Sequence, residues 1–166
     1  DVKAFITTAQ KHDVDLSILS SVDTFNENRI NKISKKIISK ANLNKGDYVS
    51  LLGLSFKPNT DDVRDSTSMK IAKFLQERGI VVKSYDPEAM DNAKKENTEL
   101  QLFDSAYEAC EDTKIIIIGT EWNEFRALNF LKIQKSSKNL IIFDLRNIYN
   151  AKEIEELGLQ YFGTGK

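Results

Sequence analysis

The residues with the clearest chemical potential lie in the stretch LLGLSFKPNTDDVRDSTS, residues 51–68. Lys57 comes four residues after Gly53, where a buried strand is expected to end, and Arg64 lies next to the start of the following helix. Two cations beside a helix N-terminus form a natural anion site, because the unpaired N–H groups and the helix dipole add to their charge. The stretch therefore indicates an anionic ligand, while its composition alone fits a solvated charged turn equally well.

Two acidic residues in the same stretch need a separate explanation. Asp61 and Asp62 would repel a phosphate if their side chains faced it. We expect structural roles for them, such as Asx-turn hydrogen bonds or a brace for Arg64.

Further polar residues follow the other apolar runs. Arg146 comes directly after IIFDL, where its guanidinium could hold a phosphate or a sugar hydroxyl with a forked pair of donors. A salt bridge with Asp144 or another neighbour is the alternative. Asp86 ends a strand at a position that often holds a ribose, although the sequence YDP also simply makes a turn. We expect Trp122 to pack in the core or at its rim rather than to stack on a base.

The single histidine and the single cysteine do not support nucleophilic catalysis within this chain. His12 lacks the Ser or Cys context of a hydrolase triad, and we expect it at the surface. Cys110 lies in YEACED, where acidic neighbours would raise the pKa of its thiol. We interpret Cys110 as a packing residue, and a lone cysteine provides neither a disulfide framework nor a Cys-rich metal site.

Composition excludes several classes of function. The formal charge of −1, from 24 basic and 25 acidic residues, gives no electrostatic basis for binding nucleic acid or an anionic membrane. No apolar run approaches the roughly 20 residues that a membrane span needs, and no signal-peptide pattern is present. A reducing, cytoplasmic setting is the default expectation. The chain begins at Asp1 rather than Met, so we expect a domain or fragment of a longer protein.

Two segments must position these residues. Residues 1–44 contain no strand-like run, and their apolar residues predict a helix over 2–11 and a long helix over 15–41. Apolar residues on more than one face of the long helix indicate more than one packing neighbour.

Residues 45–166 alternate between short apolar runs and helical patterns. The predicted strands cover 48–53, 80–87, 100–103, 114–119 and 139–145, and the predicted helices lie at 66–79, 88–96, 104–112, within 122–135 and at 151–158. Continuous Ile/Val/Leu strands separated by helices indicate an α/β, Rossmann-like parallel sheet with helices on both faces. Ligands of such folds bind beyond the carboxyl ends of the strands, where the polar residues named above lie.

The sequence resembles a known family across essentially the whole chain. GLSFKPNTDDVRDSTS is similar to the G-x-x-F-K-x-x-T-D-D-x-R signature in the C-terminal domain of the UDP-glucose/GDP-mannose dehydrogenase family. YDPEA, GTEWNEF and IIFDLRNIY extend the match, and the segment from DVKAF to VDTFNEN resembles the central helix that follows the family's catalytic cysteine.

The resemblance implies a function for the chain as part of an enzyme. Family members oxidise the C6 hydroxyl of a nucleotide sugar to a carboxylate in two NAD-dependent steps, so UDP-glucose to UDP-glucuronate is the first expectation. Residues 1–44 would be a helical dimerisation segment, and residues 45–166 would be the UDP-sugar-binding domain. The NAD domain and the catalytic cysteine would lie upstream, so the chain alone is expected to be inactive. Polysaccharide biosynthesis is the process that this activity implies.

Site residues follow from the same resemblance. Phe56 and Lys57 would contact the nucleotide sugar, Arg146 would bind the substrate, and Arg64 would reach the NAD across the domain interface. Asp1 would match the final aspartate of the family's cysteine segment and position the catalytic water or lysine. The three cations would then converge at one edge of the sheet, where they would offset the phosphate charges.

Other classes of protein remain as alternatives. A phosphorylation receiver domain fits poorly, because Asp104 resembles a helix cap and Arg146 stands where a receiver has a lysine. A non-catalytic nucleotide-binding or assembly module, dimerised by the long helix, is a second possibility. A sister dehydrogenase acting on GDP-mannose or a UDP-N-acetyl sugar is a third.

Overall fold

A computed structural model describes residues 2–137 and 139–165 of the chain. Two helices open it, α1 at Val2–Lys11 and α2 at Ser17–Ala41, which confirms both predicted helices. Helix α2 ends at Asn42, which adopts a left-handed backbone conformation (φ 46°) and donates its N–H to carbonyls of the last turn. Asn tolerates this conformation better than most residues with a side chain, so it is a suitable stop signal.

The remaining described residues form a parallel sheet with helical connections. Its order is β3-β2-β1-β4-β5-β6, and each neighbouring pair is parallel. The strands are β1 Tyr48–Leu52, β2 Val81–Tyr85, β3 Gln101–Leu102, β4 Ile115–Ile118, β5 Ile141–Asp144 and β6 Gln160–Gly163. The connecting helices are α3 Thr67–Gln76, α4 Met90–Glu96, α5 Ala106–Ala109, α6 Asn123–Arg126, α7 Phe130–Ile133 and α8 Ala151–Glu156. The α/β, Rossmann-like expectation is confirmed.

The helix predicted within 122–135 is divided into two short helices. Helix α6 ends at Arg126, and α7 begins after Asn129, whose side chain accepts a hydrogen bond from the Lys132 N–H at 3.1 Å. An Asn side chain that satisfies a free N–H favours the start of a new helix over the continuation of an old one.

The sheet separates two apolar layers. Strand β4 shows this most clearly, because Ile115 and Ile117 pack on the face covered by α2, α3 and α4, whereas Ile116 and Ile118 pack on the opposite face. All four side chains are fully buried. A strand buried on both faces needs an uninterrupted apolar sequence, which explains the run IIII at the centre of the sheet.

Helix α2 is attached to the sheet by its C-terminal half. Ile37 is fully buried in the first layer, and Lys40 lies over the Phe162 ring at 4.7 Å from Nζ to the ring centre. The N-terminal half extends away from this layer and leaves Ile18 and Phe25 79% and 63% exposed. No helix in the two described ranges is long and apolar enough to cross a membrane.

Candidate functional site

Two glycines bring the ends of β1 and β4 into close contact at the carboxyl edge of the sheet. Gly53 has φ +90°, and a Cβ built on it would lie 2.6 Å from the Thr120 side chain. A Cβ on Gly119 would lie 2.1 Å from Ser68 Oγ in α3. Both positions therefore require glycine for backbone packing, and the space beside Gly53 is already filled by Thr120.

A buried carboxylate joins three of the loops at this edge. Asp86, fully buried after β2, accepts hydrogen bonds from the Leu54 and Ser55 N–H groups at 2.7 and 3.0 Å and from Trp122 Nε1 at 3.2 Å. It also accepts from Ser55 Oγ and from the N–H groups of Glu88 and Ala89. Because all of these donors are internal, Asp86 orders the loops rather than facing outward to a ribose. The same contact accounts for Trp122, which is buried as expected.

The loop after β1 presents an aromatic ring and a lysine to solvent. The Phe56 N–H donates to the Asp62 carbonyl at 3.0 Å and closes the loop. Phe56 is 43% exposed, and Lys57 Nζ lies 5.2 Å from the centre of its ring. The backbone just before this pair, at Leu54 and Ser55, is hydrogen-bonded to the buried Asp86 carboxylate. The two exposed side chains therefore extend from a fixed segment of the loop.

The aspartates of the same loop have the structural roles expected for them. Asp62 accepts from Arg64 at Nε (2.9 Å) and Nη2 (2.6 Å) and also from the Arg64 backbone N–H (2.9 Å). These hydrogen bonds from Arg64 lower the pKa of the Asp62 carboxyl to about 2. Asp61 accepts from the side chain of Asn92 in α4 at 3.0 Å. Arg64 is thus braced, and its side chain is still 87% exposed.

Arg146 is held at both its backbone and its side chain. Its N–H donates to the buried Asp144 carboxylate at 2.9 Å, and its Nε forms an ion pair with Glu121, the residue between Thr120 and Trp122. The two side chains of the pair are 33% and 34% exposed. The expected alternative of a salt bridge is therefore present, and it is made with Glu121 rather than with Asp144.

Two hydrogen bonds between Asn147 and Thr164, which we call the amide clasp, join the loops after β5 and β6. Asn147 donates from Nδ2 to the Thr164 carbonyl and accepts from the Thr164 N–H at Oδ1, both at 3.1 Å. Asn147 has φ 52°, a conformation that Asn tolerates. The clasp fixes the chain on the C-terminal side of Arg146.

A cleft of about 670 Å³ lies between α2, α3 and the carboxyl edge of β4, β5 and β6. Both signs of charge line it, with Arg29, Lys70, Lys73 and Arg146 opposed by Asp23, Glu27, Asp65 and Glu77. Phe56, Lys57 and Arg64 lie outside this lining, although Asp65, the next residue after Arg64, belongs to it. The three expected cations therefore share the carboxyl edge of the sheet, but only Arg146 lines the cleft.

Of the remaining candidates, Asp1 lies outside the described residues. His12 is exposed, and Cys110 is fully buried with its Sγ 3.3 Å from Ser50 Oγ, so both match their expected roles. Burial, rather than the acidic neighbours expected from the sequence, raises the pKa of the Cys110 thiol to about 12, which makes it a poor nucleophile. In the ranges 2–137 and 139–165, no group of three His, Cys, Asp or Glu residues could hold a metal ion.

Sequence reasoning gave no role to two residues that shape this edge. Glu121 lies in the loop that follows β4, but a pattern of charges does not show which cation a carboxylate will meet. Thr164 lies after the last strand, and its backbone, rather than its side chain, holds Asn147. The Glu121–Arg146 contact depends on the pairing of β4 with β5, and the Asn147–Thr164 contact depends on the pairing of β5 with β6. The local sequence pattern shows neither pairing.

Comparisons with known proteins show which family the chain resembles. The model of the "UDP-glucose/GDP-mannose dehydrogenase family, UDP binding domain" matches residues 50–151. A UDP-glucose 6-dehydrogenase of Rhizobium meliloti is 39% identical over 167 residues, which cover 100% of this chain and 38% of the relative.

Solved structures give the same result for the fold. A UDP-glucose dehydrogenase from Pyrobaculum islandicum superposes with a TM-score of 0.79 at 27% identity, over 92% of this chain and 34% of that one. A UDP-D-ManNAc dehydrogenase from Pyrococcus horikoshii gives a TM-score of 0.73 at 25% identity, over 95% and 35%. This chain thus spans between one third and two fifths of the length of these relatives.

Proposed function

The chain belongs to the UDP-glucose/GDP-mannose dehydrogenase family, and we propose that it is the C-terminal portion of an NAD-dependent nucleotide-sugar 6-dehydrogenase. We propose UDP-glucose as the substrate, oxidised in two steps to UDP-glucuronate, because the similar protein of Rhizobium meliloti is a UDP-glucose 6-dehydrogenase. The observation that carries the proposal is the match to the UDP-binding domain over 50–151, because this range includes the carboxyl ends of β1, β2, β4 and β5.

In this proposal the exposed residues of the carboxyl edge bind the nucleotide sugar. Phe56 offers an exposed ring face, Lys57 offers an ammonium group, and Arg146 offers guanidinium donors at the cleft. Each charge-assisted contact is expected to contribute about 1.5–3 kcal/mol to binding. Asp1 keeps its proposed role of positioning the catalytic water or lysine.

A bound NAD would supply the hydride acceptor for each oxidation step, and in this proposal the chain would contact it only through exposed residues such as Arg64. The turn after β1 does not fit a dinucleotide pyrophosphate, because Thr120 fills the space that a glycine cradle would leave open beside Gly53. Arg64 does fit a contact with a cofactor held by another domain, since its side chain is 87% exposed and is aimed by Asp62.

We further propose that residues 1–44 dimerise the chain, while residues 45–166 bind UDP. Ile18, Val22 and Phe25 recur on one side of α2 and are all exposed, so they provide an apolar surface for a second copy. Sedimentation equilibrium should then show a homodimer, and a monomer at every accessible concentration would contradict this part of the proposal. A buried free thiol suits the reducing cytoplasm, where we place the protein and where its product would enter polysaccharide biosynthesis.

Calorimetric titration tests the binding function. We expect the chain to bind UDP and UDP-glucose weakly without turnover. The Lys57→Ala and Arg146→Ala variants should each lose about tenfold or more in affinity, a change that corresponds to about 1.4 kcal/mol. The exposed Lys45, which precedes β1 at the opposite edge, provides the matched control Lys45→Ala. Parent-like affinity in both site variants would refute the placement of the site.

The same titration decides between sister specificities. The similarity to a UDP-D-ManNAc dehydrogenase shows that this fold is shared with enzymes for other nucleotide sugars. Tighter binding of GDP-mannose or of a UDP-N-acetyl sugar than of UDP-glucose would replace UDP-glucose in the proposal. Binding of none of them would favour an assembly module.

A further inference from the structure

We propose that Glu121 is a specificity-determining residue that reserves Arg146 for uncharged oxygen atoms of the ligand. This inference rests on the proposed function, because it assumes that a nucleotide sugar reaches Arg146. The acceptor would be a sugar hydroxyl or a carbonyl group, and the diphosphate would lie nearer to Lys57. This division of roles between Arg146 and Lys57 follows from the contacts that Glu121, Arg146 and Lys57 make at the carboxyl edge.

The position of Glu121 is fixed by its two neighbours. Thr120 is fully buried and donates from Oγ1 to the Ser55 carbonyl at 2.6 Å. Trp122 is buried and donates to Asp86. A residue held on both sides in this way has little freedom to turn away, so the ion pair with Arg146 is part of the loop's architecture.

Arg146 is also held in place, in this case by contacts at the end of β5. Ile118 of β4 and Asp144 of β5 are register partners, so the loops that carry Glu121 and Arg146 leave the sheet side by side. The buried Asp144 carboxylate holds the Arg146 N–H at 2.9 Å. The Glu121 contact uses Nε, which leaves the terminal NH2 groups of the guanidinium as the donors that a ligand can engage.

The charge of the ligand atoms then decides which of them accept hydrogen bonds from these donors. The pair of Glu121 and Arg146 is neutral as a whole, so a phosphate close to it meets repulsion from the carboxylate as well as attraction from the guanidinium. A hydroxyl or carbonyl oxygen meets no such repulsion and still accepts a hydrogen bond. A carboxylate beside an arginine is therefore a device for selecting against excess negative charge.

Lys57 provides the contrast within the same edge. In the described part of the chain it forms no direct ion pair, and its Nζ lies 5.2 Å from the centre of the Phe56 ring. Arg64 is the main cause of the lowered pKa of Asp62, and the charge of Lys57 contributes least to it. A compact ammonium without a carboxylate partner is suited to a phosphate. Arg64, by comparison, is already bound by Asp62.

The Glu121→Gln variant tests the inference, with Glu124→Gln as the matched control from the same GTEWNEF segment. Glu124 accepts from Tyr85 and does not pair with Arg146. Each variant is titrated with UDP-glucose, UDP and UTP over a range of salt concentrations. Glu121→Gln should shift the affinity ratio of UTP to UDP-glucose about tenfold toward UTP and steepen the salt dependence, because an unpaired guanidinium attracts phosphate. Glu124→Gln should keep the parent ratio.

Two further variants separate the possible failures. The double variant Glu121→Gln/Arg146→Gln, which removes both charges of the neutral pair, should weaken UDP-glucose binding while leaving its salt dependence unchanged, whereas Lys57→Ala should reduce the salt dependence. If Glu121→Gln does not fold, the comparison between these two variants still tests the inference. An equal loss of salt dependence in both of them would overturn it. A parent-like ratio in a folded Glu121→Gln variant would also overturn it. A double variant and a Lys57→Ala variant that both bind as the parent does would instead refute the proposed function.

Discussion

The two halves of helix α2 contain similar apolar residues and have opposite environments. Ile37, in the C-terminal half, is fully buried against the sheet, whereas Ile18, in the N-terminal half, is 79% exposed. Val22 and Phe25 share the exposed side with Ile18. One continuous helix is thus a core element at one end and an uncovered apolar surface at the other.

The sheet with its covering helices and the N-terminal half of α2 are therefore stabilised in different ways. The sheet domain buries two apolar layers and satisfies its polar loops internally, as the Asp86 contacts show. The start of α2 exposes side chains that a core would normally cover, so its apolar pattern matches a surface for association. We therefore expect substitutions at the two ends of α2 to change stability and the proposed assembly separately.

The largest difference is expected between Ile37→Asp and Ile18→Asp. A charge at the buried position should lower the free energy of unfolding by about 4 kcal/mol or more. The same substitution at the exposed position should change the free energy of unfolding of the monomer, measured at protein concentrations too low for association, by no more than about 0.5 kcal/mol. Urea unfolding followed by circular dichroism measures both. Equal losses would show that the N-terminal half of α2 also belongs to the folding core.

A second prediction concerns the buried carboxylate of the sheet domain. Asp86→Ala removes the acceptor of several internal donors, and each donor left buried without a partner costs about 1–3 kcal/mol, so a total loss above about 3 kcal/mol is expected. The exposed Asp104 provides the control Asp104→Ala, which should stay close to the parent. A stability like that of the parent in Asp86→Ala would show that water replaces these contacts.

Self-association should respond to the exposed end of the helix and not to the sheet. We expect Phe25→Asp to weaken the proposed dimer by about 1.4 kcal/mol or more, a tenfold change, because it places a charge in the apolar surface. Sedimentation velocity at matched concentrations measures the change. A dimer that survives Phe25→Asp, while an edge variant such as Lys57→Ala dissociates, would move the interface to the sheet domain.

The smallest expected effect is the pH dependence of the Asp62–Arg64 pair. The folded pKa of Asp62 is about 2, below the usual value of 3.8, so the pair contributes stability above that usual value and loses it as pH falls through the folded pKa. The parent should therefore exceed Asp62→Asn in stability near neutral pH and match it near pH 2. Because Arg64 is exposed, the difference should be small and should shrink with added salt. A difference that grows on acidification would contradict the assignment.

The sequence was sufficient for the elements that depend on local pattern. Apolar runs such as IIII and IIFD located the central strands, and the helices α1, α2 and α3 followed from periodicity and turn residues. Loop residues with local partners were also predictable, since Asp62 and Arg64 are only two positions apart.

Contacts between distant segments were not predictable in the same way. Glu121 and Arg146 are 25 positions apart, and they meet because β4 and β5 are neighbours in the sheet. The inward turn of Asp86 depends on donors from the loops after β1 and β4, which no single stretch reveals. The sequence predicts a single helix within 122–135 and not the break at Asn129. A helix cap can interrupt a helix without changing the spacing of its apolar residues.

The most direct test of the central claim is a nuclear magnetic resonance titration of the 15N-labelled chain with UDP-glucose. The account predicts that the amide signals shifting most come from residues 54–57, 119–122 and 145–148, at the carboxyl ends of β1, β4 and β5. The loop at 44–47, at the opposite edge, should keep its signals. Shifts confined to that opposite loop, or no shift at millimolar ligand, would contradict the account.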